Sequence, residues 1–424
     1  MNFKLLEEKG GKCKMGLNTK LTENKKDYSN QNGITLIALV ITIVVLLIVA
    51  GVSIDIALRD EGIIGKAQET QNMIDQEKEN HQGDKKELDD WLDERLGKSI
   101  RISKVIGKVV NKNTRAKDAY GNIITIPKGF KVLPHGTEGG NATYTYSGDN
   151  IPAVQDGIVI ENGTDKNQFV WVPVGTINNK DNTTNTITLG RYQFDSKTGA
   201  LTSTTPVQVA SVENRTQEVV IDNRYTELST FREGNTAEDS TAENATARNI
   251  AEFITTTLAN GGYYIARYET TGTSTKITSR YNQSILTNVT QPRIAALARE
   301  MYGDTAEYAS DLANSYAWDT AIIFIQTYSG NPNYASQNKC VSFTKAGISN
   351  DKYCNIWDMS GNAMEWTTEY ADFAFPTSGL YAPCVMRGGY SNFDNPVSET
   401  SNRSEGRSTY STSRYTSRSI IYVK

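Results

Sequence analysis

The chain has 424 residues, of which 38% are hydrophobic and 22% are charged, and its formal net charge is −4. This length suffices for two or three packed units, and the composition is that of a globular protein rather than a disordered one. Because residues 1–33 are lysine-rich, the rest of the chain is mildly acidic, which argues against general binding of nucleic acid.

The cysteines and histidines argue against thiolate and histidine metal sites. The four cysteines are Cys13, Cys340, Cys354 and Cys384, and they form neither a C-x-x-C pair nor a zinc-binding spacing. The two histidines, His81 and His135, have no neighbouring pattern of ligand residues. If Cys13 is removed with a leader, the other three allow either one disulfide and a free thiol or three buried thiols.

An uncharged apolar run near the N-terminus predicts a membrane anchor. Residues 34–52 read ITLIALVITIVVLLIVAGV, and a helix of that length covers about 28 Å, enough for one span. A soluble core helix, the alternative, would need a polar face. Lys20, Lys25 and Lys26 precede the run, and basic flanks stay in the cytoplasm, which predicts a single-pass protein with its head outside the cell.

The segment before this run resembles a type IV prepilin leader. A lysine-rich stretch ends at Gly33, and the apolar run begins immediately at Ile34. The resemblance implies a leader over residues 1–33 that a prepilin peptidase removes by cutting between Gly33 and Ile34; an uncleaved anchor is the alternative. The fifth residue after that cut is Ala38, where the family has a Glu that contacts other pilin subunits. A minor subunit or an unassembled anchor is therefore favoured over a long homopolymer.

Beyond the apolar run, the pattern of residues changes twice. Residues 56–97 are amphipathic and interrupted by glycines, which predicts that residues 34–97 form a transmembrane helix and a helical stalk. Residues 98–164 alternate β-branched residues with turn signals, which predicts a short β-rich segment. Residues 176–248 are rich in Asn, Thr and Glu, which predicts a polar insertion of long loops with a few edge strands.

Residues 165–424 carry several recognisable sequence blocks in a fixed order. The blocks are predicted strands at 169–175 and 262–269, predicted helices near 293–302 and 316–328, and the motifs NIWDMSGNAMEW at 355–366 and MRGGY at 386–390. Together they resemble the formylglycine-generating-enzyme-like branch of the C-type-lectin fold, the sulfatase-modifying factor family. The resemblance implies an α+β fold class, in which a C-type-lectin-like head follows the transmembrane helix and the helical stalk.

The motif at 355–366 combines a turn with side chains that carry oxygen atoms. Asn362 and Glu365 place hard oxygen ligands on one loop, and the resemblance implies that they hold calcium together with the backbone carbonyls of Gly361 and Ala363. The alternative is that Glu365 accepts hydrogen bonds from Arg387 or from backbone amides.

The last segment bears on whether the head is catalytic. Catalytic members of the family bind copper through two cysteines there, and a related branch binds iron through a histidine cluster. Here residues 402–410 read NRSEGRSTY and contain no cysteine, and the chain lacks the histidines. The resemblance therefore predicts a protein that is not an enzyme and binds neither copper nor iron. A formylglycine-generating-like oxidase at the cell surface is the alternative.

The composition of residues 387–418 predicts a binding surface. This stretch contains eight Ser, five Arg, four Thr, three Tyr and three Asn, a mixture typical of evolved binding loops. In placement and composition it resembles the variable proteins of diversity-generating retroelements. We expect an adhesin that binds an unknown protein or glycan, with Trp366 and Ile421 buried beneath the surface. The predicted ligand-binding residues are Tyr390, Asn392, Phe393, Arg403, Arg407, Tyr410, Arg414 and Tyr415.

Overall fold

The structure is a computed structural model of the whole chain. It describes residues 98–134, 151–203, 225–227, 246–338, 345–371, 373–389 and 399–424, together with residues 41–43, 71–77 and several positions between 85 and 96. The chain divides into two compact units, Met1–Asp84 and Lys85–Lys424.

In the first unit, the described residues are two short helical stretches. Residues 41–43 and 71–77 are helical, and their side chains are exposed. No helix in the described part of the chain combines the length and the apolar character that crossing a membrane requires. On this finding the predicted transmembrane helix and single-pass membrane anchoring are corrected for the described residues, which contain no such helix. Of the predicted span, residues 34–52, only residues 41–43 are described.

The predicted cleavage site and most of the predicted stalk lie outside the described residues. Gly33, Ile34 and Ala38 are among the residues that the structure does not describe. The processing hypothesis therefore stays a prediction.

The second unit is mostly β, which corrects the predicted α+β fold class with its N-terminal helices. Among the described residues, strands outnumber helical elements by a wide margin. Many of the strands are short and polar, such as β18, Arg403–Gly406, and they are paired by residues far away in the chain. Because such strands lack an alternating apolar pattern, the sequence did not reveal them.

A six-stranded antiparallel sheet forms the centre of the second unit. Its strands, in spatial order, are β13 (Tyr308–Leu312), β20 (Ser419–Val423), β10 (Gly262–Ala266), β6 (Gln168–Pro173), β5 (Val159–Asn162) and β4 (Phe130–Val132). Strands β6 and β10 correspond to the two predicted strands, and Trp171 pairs with Tyr264 across them. Ile421 in β20 is fully buried, as expected for a strand that closes the sheet.

The predicted boundary between residues 164 and 165 does not separate two folded units. Strands β4 and β5 precede this boundary, yet β5 pairs with β6 in the central sheet. The β-rich segment also contains a small sheet of β1 (Ile100–Arg101), β2 (Thr114–Lys117) and β3 (Ile123–Ile126). Residues 98–164 are thus part of the head.

Three helices pack against the sheets. They are α1 (Ile250–Asn260), α2 (Gln291–Tyr302) and α3 (Ser315–Tyr328). The side chains of Asn249 and Asn314 cap α1 and α3 by accepting a hydrogen bond from a backbone N–H of the first turn. The apolar faces of α1 and α3 join the core of the central sheet, whereas α2 packs in a second core that contains Trp366.

A second, five-stranded sheet carries the C-terminal segment. Strands β18, β17 (Cys384–Arg387), β16 (Met364–Ala371) and β19 (Tyr415–Ser417) lie in this order, and β9 (Tyr225–Glu227) also pairs with β16. A separate hairpin, β7 (Gly175–Asn178) and β8 (Thr184–Ile187), lies in the predicted polar insertion. The remaining strands are two short pairs, β11 (Thr271–Thr273) with β12 (Lys276–Thr278) and β14 (Lys352–Tyr353) with β15 (Ile356–Trp357).

Candidate ligand-binding face

The C-terminal face is built from the residues between β18 and β19 together with Tyr415, the first residue of β19; we call this segment, Arg407–Tyr415, the C-terminal loop. Tyr410 is 50% exposed. Arg414 is also exposed, while Arg407 and Tyr415 are half-buried. Four of the eight predicted ligand-binding residues thus lie close together in the chain on one accessible loop.

Backbone hydrogen bonds fix the shape of this loop. The Asn288 N–H donates to the carbonyl of Thr412 at 3.0 Å, and the Met364 N–H donates to the carbonyl of Arg414 at 3.0 Å. At the end of the loop, the ring of Tyr415 packs edge-on against Trp366, with ring centroids 5.1 Å apart. Trp366 itself is 1% exposed, as predicted. The loop therefore rests on the second core.

Arg403 is a correction to the predicted binding residues. Its side chain is only 8% exposed, and its guanidinium lies 2.6 Å from Asp319 and 2.9 Å from Glu369. Because both carboxylates are buried, Arg403 holds the interior together instead of facing a ligand. The other three predicted residues, Tyr390, Asn392 and Phe393, lie outside the described part of the chain.

Arg403 belongs to a buried group that we call the arginine-rich cluster: Arg191, Arg387, Arg403, Asp319 and Glu369. All five side chains are buried or nearly so, and three guanidinium groups surround two carboxylates. Arg387 and Arg403 both pair with Asp319 and with Glu369. Despite burial, the neighbouring arginines lower the pKa of Glu369 to about 2. The cluster ties α3 to strands β16, β17 and β18, at the base of the C-terminal loop.

The central motif builds a second buried group, which we call the acid-rich cluster: Glu269, Asp351, Asp358, Glu365 and Arg418. Arg418 donates to both carboxylate oxygens of Glu365, at 2.7 and 3.1 Å. It also donates to the carbonyls of Ala266 at 2.8 Å and Trp357 at 2.7 Å. The partner of Glu365 is therefore Arg418, and not Arg387 as the sequence suggested.

Four carboxylates and one arginine form this cluster, and the pKa values of its glutamates are raised. Burial raises the pKa of Glu365 to about 7 although Arg418 acts against it. Burial also raises the pKa of Glu269 well above its usual value, and the carboxylates of Asp358 and Glu365 add to the effect. A proton shared within the cluster is the simplest way to accommodate this much buried negative charge.

The residues of the predicted calcium site do not fit calcium in this arrangement. Both oxygens of Glu365 are engaged by Arg418, and the side-chain amide of Asn362 donates to Glu269. The Ala363 N–H also donates to Glu269, at 3.2 Å. In the described residues, no group of three or more His, Cys, Asp and Glu is arranged to hold a metal ion. Asn362 and Glu365 instead hold the central motif against Glu269, which follows β10, and against Arg418, which lies between β19 and β20.

Several of these partners were missed at the sequence level. Asp319 is the one charge in the largely apolar block SYAWDTAIIFI, and Glu269 shares the block GYYIARYE with Arg267 alone. A charged residue in a segment that must be buried needs a buried partner, so such isolated charges are the available signal. Arg191, in contrast, lies in the polar insertion, where an extra arginine carries no such signal.

The two cysteines in the described residues lie in different places. Cys354 packs against the core of the central sheet, whereas Cys384 is buried in the core around Trp366. Burial raises the pKa of the Cys354 thiol, which disfavours the reactive thiolate. The thiol of Cys384 lies 3.6 Å from the side-chain oxygen of Gln291. Cys340 lies outside the described residues.

Comparison with known proteins adds no family assignment. The chain matches no protein-family model, no curated protein and no solved structure at a significant level.

Proposed function

We propose that this chain is a ligand-binding protein and that the C-terminal loop, Arg407–Tyr415, is its binding surface. The observation that carries the proposal is the combination of the half-exposed Tyr410 and the exposed Arg414 on a loop whose backbone is held by the rest of the head. Tyrosine offers a large rigid contact area with a polar tip, and arginine offers a planar set of donors.

A loop that is already ordered favours binding for a physical reason. Immobilising a flexible loop costs free energy on association, and this cost is reduced when the loop is held beforehand. Here Thr412 and Arg414 accept hydrogen bonds from two other segments, and Tyr415 is anchored on Trp366. The exposed side chains of Tyr410 and Arg414 can then change without disturbing the core. This separation supports the proposal that the loop is a site of sequence diversification.

The oxidase alternative is weaker because of its cysteines. Residues 399–424 contain no cysteine, and Cys354 and Cys384 belong to different apolar cores. Purified protein should therefore bind no copper stoichiometrically and oxidise no thiol peptide. Cysteine-dependent turnover of such a peptide would favour the oxidase over the binding protein.

The experiment is a screen of the full chain against glycan and protein arrays, followed by titration of the strongest hit. We expect Tyr410→Ala or Arg414→Ala to weaken binding by about 2 kcal/mol or more, since few residues dominate such interfaces. The melting temperature should hardly change, because both side chains are exposed. Arg115→Ala is the matched control, since Arg115 is an exposed arginine on β2.

The proposal fails if the whole loop is dispensable. Simultaneous alanine substitution of Arg407, Tyr410, Arg414 and Tyr415 in a folded protein should abolish binding of the array hit. Retention of full affinity by this variant would assign binding to another surface.

A further inference from the structure

An open surface cavity lies beside the β7–β8 hairpin. It has a volume of about 650 Å³ and is bounded by the hairpin tip, the short helical turn Val154–Asp156 and Tyr328 at the end of α3. Small-molecule sites commonly measure about 300–1,000 Å³, so the cavity has the size of a ligand site. None of its residues belongs to the C-terminal loop or to either buried charge cluster.

Asn179 organises this cavity, which we call the hairpin pocket. Its backbone N–H donates to the carbonyl of Thr183 at 2.9 Å, and its side-chain amide donates to the Thr183 hydroxyl at 2.9 Å. The side-chain oxygen of Asn179 accepts hydrogen bonds from Gln155 at 3.0 Å and from the Tyr328 hydroxyl at 3.2 Å. One side chain thus links the three elements that form the pocket.

The lining of the pocket combines polar groups with a larger share of apolar surface, contributed by the carbon atoms of its side chains. Apart from the ring of Tyr328, it consists of carboxylate, amide and lysine side chains, including Asp156, Asp181 and Asn185. Hydrogen bonds from the Thr183 hydroxyl and backbone N–H lower the pKa of Asp181 and keep it charged. Carboxylate and amide groups can each contact two neighbouring hydroxyl groups, the amide as donor and acceptor and the carboxylate as acceptor.

Charge and shape narrow the class of ligand. The lining contains two carboxylates, Asp156 and Asp181, and one lysine, Lys180, so its charge disfavours phosphates and other anions. Strands β7 and β8 pair with one another, from Gly175 opposite Ile187 to Asn178 opposite Thr184. Their facing backbone groups are therefore already hydrogen-bonded within the hairpin.

We propose that the hairpin pocket binds a neutral saccharide. Vicinal hydroxyl groups of the sugar donate to Asp181 and Asp156 and exchange hydrogen bonds with Asn185, while a C–H face of the ring packs on Tyr328. Tyr328 is held for this contact by its hydrogen bond to Asn179 and by the edge-on packing of its ring on Phe324, with centroids 5.8 Å apart. The site goes beyond the proposed function, because it needs no part of the C-terminal loop.

The test is a binding measurement on the full chain with four neutral disaccharides: maltose, cellobiose, lactose and N,N′-diacetylchitobiose. Saturation-transfer NMR followed by titration should detect binding of at least one of them at millimolar concentration. Asp181→Ala and Asn185→Ala should each weaken that binding about tenfold, which corresponds to about 1.4 kcal/mol.

Asp195→Ala is the matched control. Asp195 is exposed, and it accepts hydrogen bonds from the N–H and hydroxyl of Thr198, just as Asp181 does from Thr183. The control should leave the affinity unchanged. Tyr410→Ala should also leave it unchanged, which separates this site from the C-terminal loop.

Three results would overturn the proposal. The first is that none of the four disaccharides binds at millimolar concentration. The second is that sialyllactose binds more tightly than lactose, since the pocket should disfavour an anion. The third is that Asp181→Ala and Asn185→Ala bind the disaccharide as well as the unmodified chain does.

Discussion

The two buried charge clusters both place carboxyl groups in the interior, but they shift the pKa of those groups in opposite directions. In the arginine-rich cluster, Arg191, Arg387 and Arg403 surround Glu369, whose pKa falls to about 2. In the acid-rich cluster, Arg418 is the arginine that pairs with Glu365, and burial raises the pKa of that carboxyl to about 7. The difference shows that the balance of partners, and not burial alone, decides whether a buried carboxyl stays charged.

The clusters also lie at comparable places in the second sheet. Glu365 and Glu369 are both on β16, four residues apart, and both are buried. Glu365 faces the end of the chain through Arg418, whereas Glu369 faces α3, β17 and β18 through the three arginines. The same strand therefore connects the central motif to the base of the C-terminal loop.

The largest expected effect comes from removing the charge of Glu369. Glu369→Gln leaves three buried guanidinium groups with Asp319 as their remaining carboxylate, and breaking such a pair costs about 3–5 kcal/mol. We expect a loss of unfolding free energy of that size in urea at neutral pH. Glu365→Gln is the control on the same strand and should cost less, because the pKa of Glu365 already lies near neutrality. Equal losses in the two variants would contradict the distinction between the clusters.

How much of the fold and of the candidate site could be predicted from the sequence depends on how far apart in the chain the interacting residues lie. Strands β6 and β10, helices α2 and α3, and the burial of Trp366 and Ile421 follow from local apolar patterns, and the structure has all of them near the expected residues. These patterns depend only on neighbouring residues.

The failures have a different physical origin. Arg403 and Arg414 have similar neighbours in the sequence, Ser with Glu in one case and Ser with Thr in the other. Arg403 is nevertheless buried, whereas Arg414 is exposed. What separates them is Asp319 and Glu369, which are distant in the chain and meet Arg403 only after folding. The predicted fold class failed for a related reason, because short polar strands such as β18 are defined by their pairing with distant strands and have no alternating apolar pattern of their own.

The pH dependence of stability should sharpen the comparison. The pKa of Glu369 is lowered to about 2, so its contribution is present above the ordinary value of 4.5 and is lost as the pH falls towards 2. The pKa values of Asp358 and Glu365 are raised to about 6 and about 7, so their contribution is present below the ordinary values and is lost as the pH rises through 6 and 7. Stability should therefore be greatest near about pH 4–4.5, where the two windows meet at the ordinary carboxyl values.

Urea unfolding measured by tryptophan fluorescence at about pH 3, 5 and 8 checks this expectation. We expect the unfolding free energy to fall by about 1–3 kcal/mol from pH 5 to pH 8, one to two pKa units of differential interaction. Glu365→Gln should flatten this decline and leave the acid limb in place. A free energy that rises between pH 5 and pH 8 would contradict the assignment of raised pKa values to the acid-rich cluster.

The smallest expected effect is that of Glu269→Gln. Burial and the carboxylates of Asp358 and Glu365 raise the pKa of Glu269 well above its usual value, which favours its neutral form in the interior. An amide has nearly the same shape as a protonated carboxyl, but its single oxygen can accept only one of the two hydrogen bonds that Glu269 accepts, from Ala363 at one oxygen and from Asn362 at the other. The unfolding free energy at pH 7 should therefore fall by only about 1 kcal/mol. As the pH rises, the variant should gain stability relative to the unmodified chain, because it carries no carboxyl that must ionise in the interior. A loss as large as that of Glu369→Gln would show instead that Glu269 is charged and paired in the folded protein.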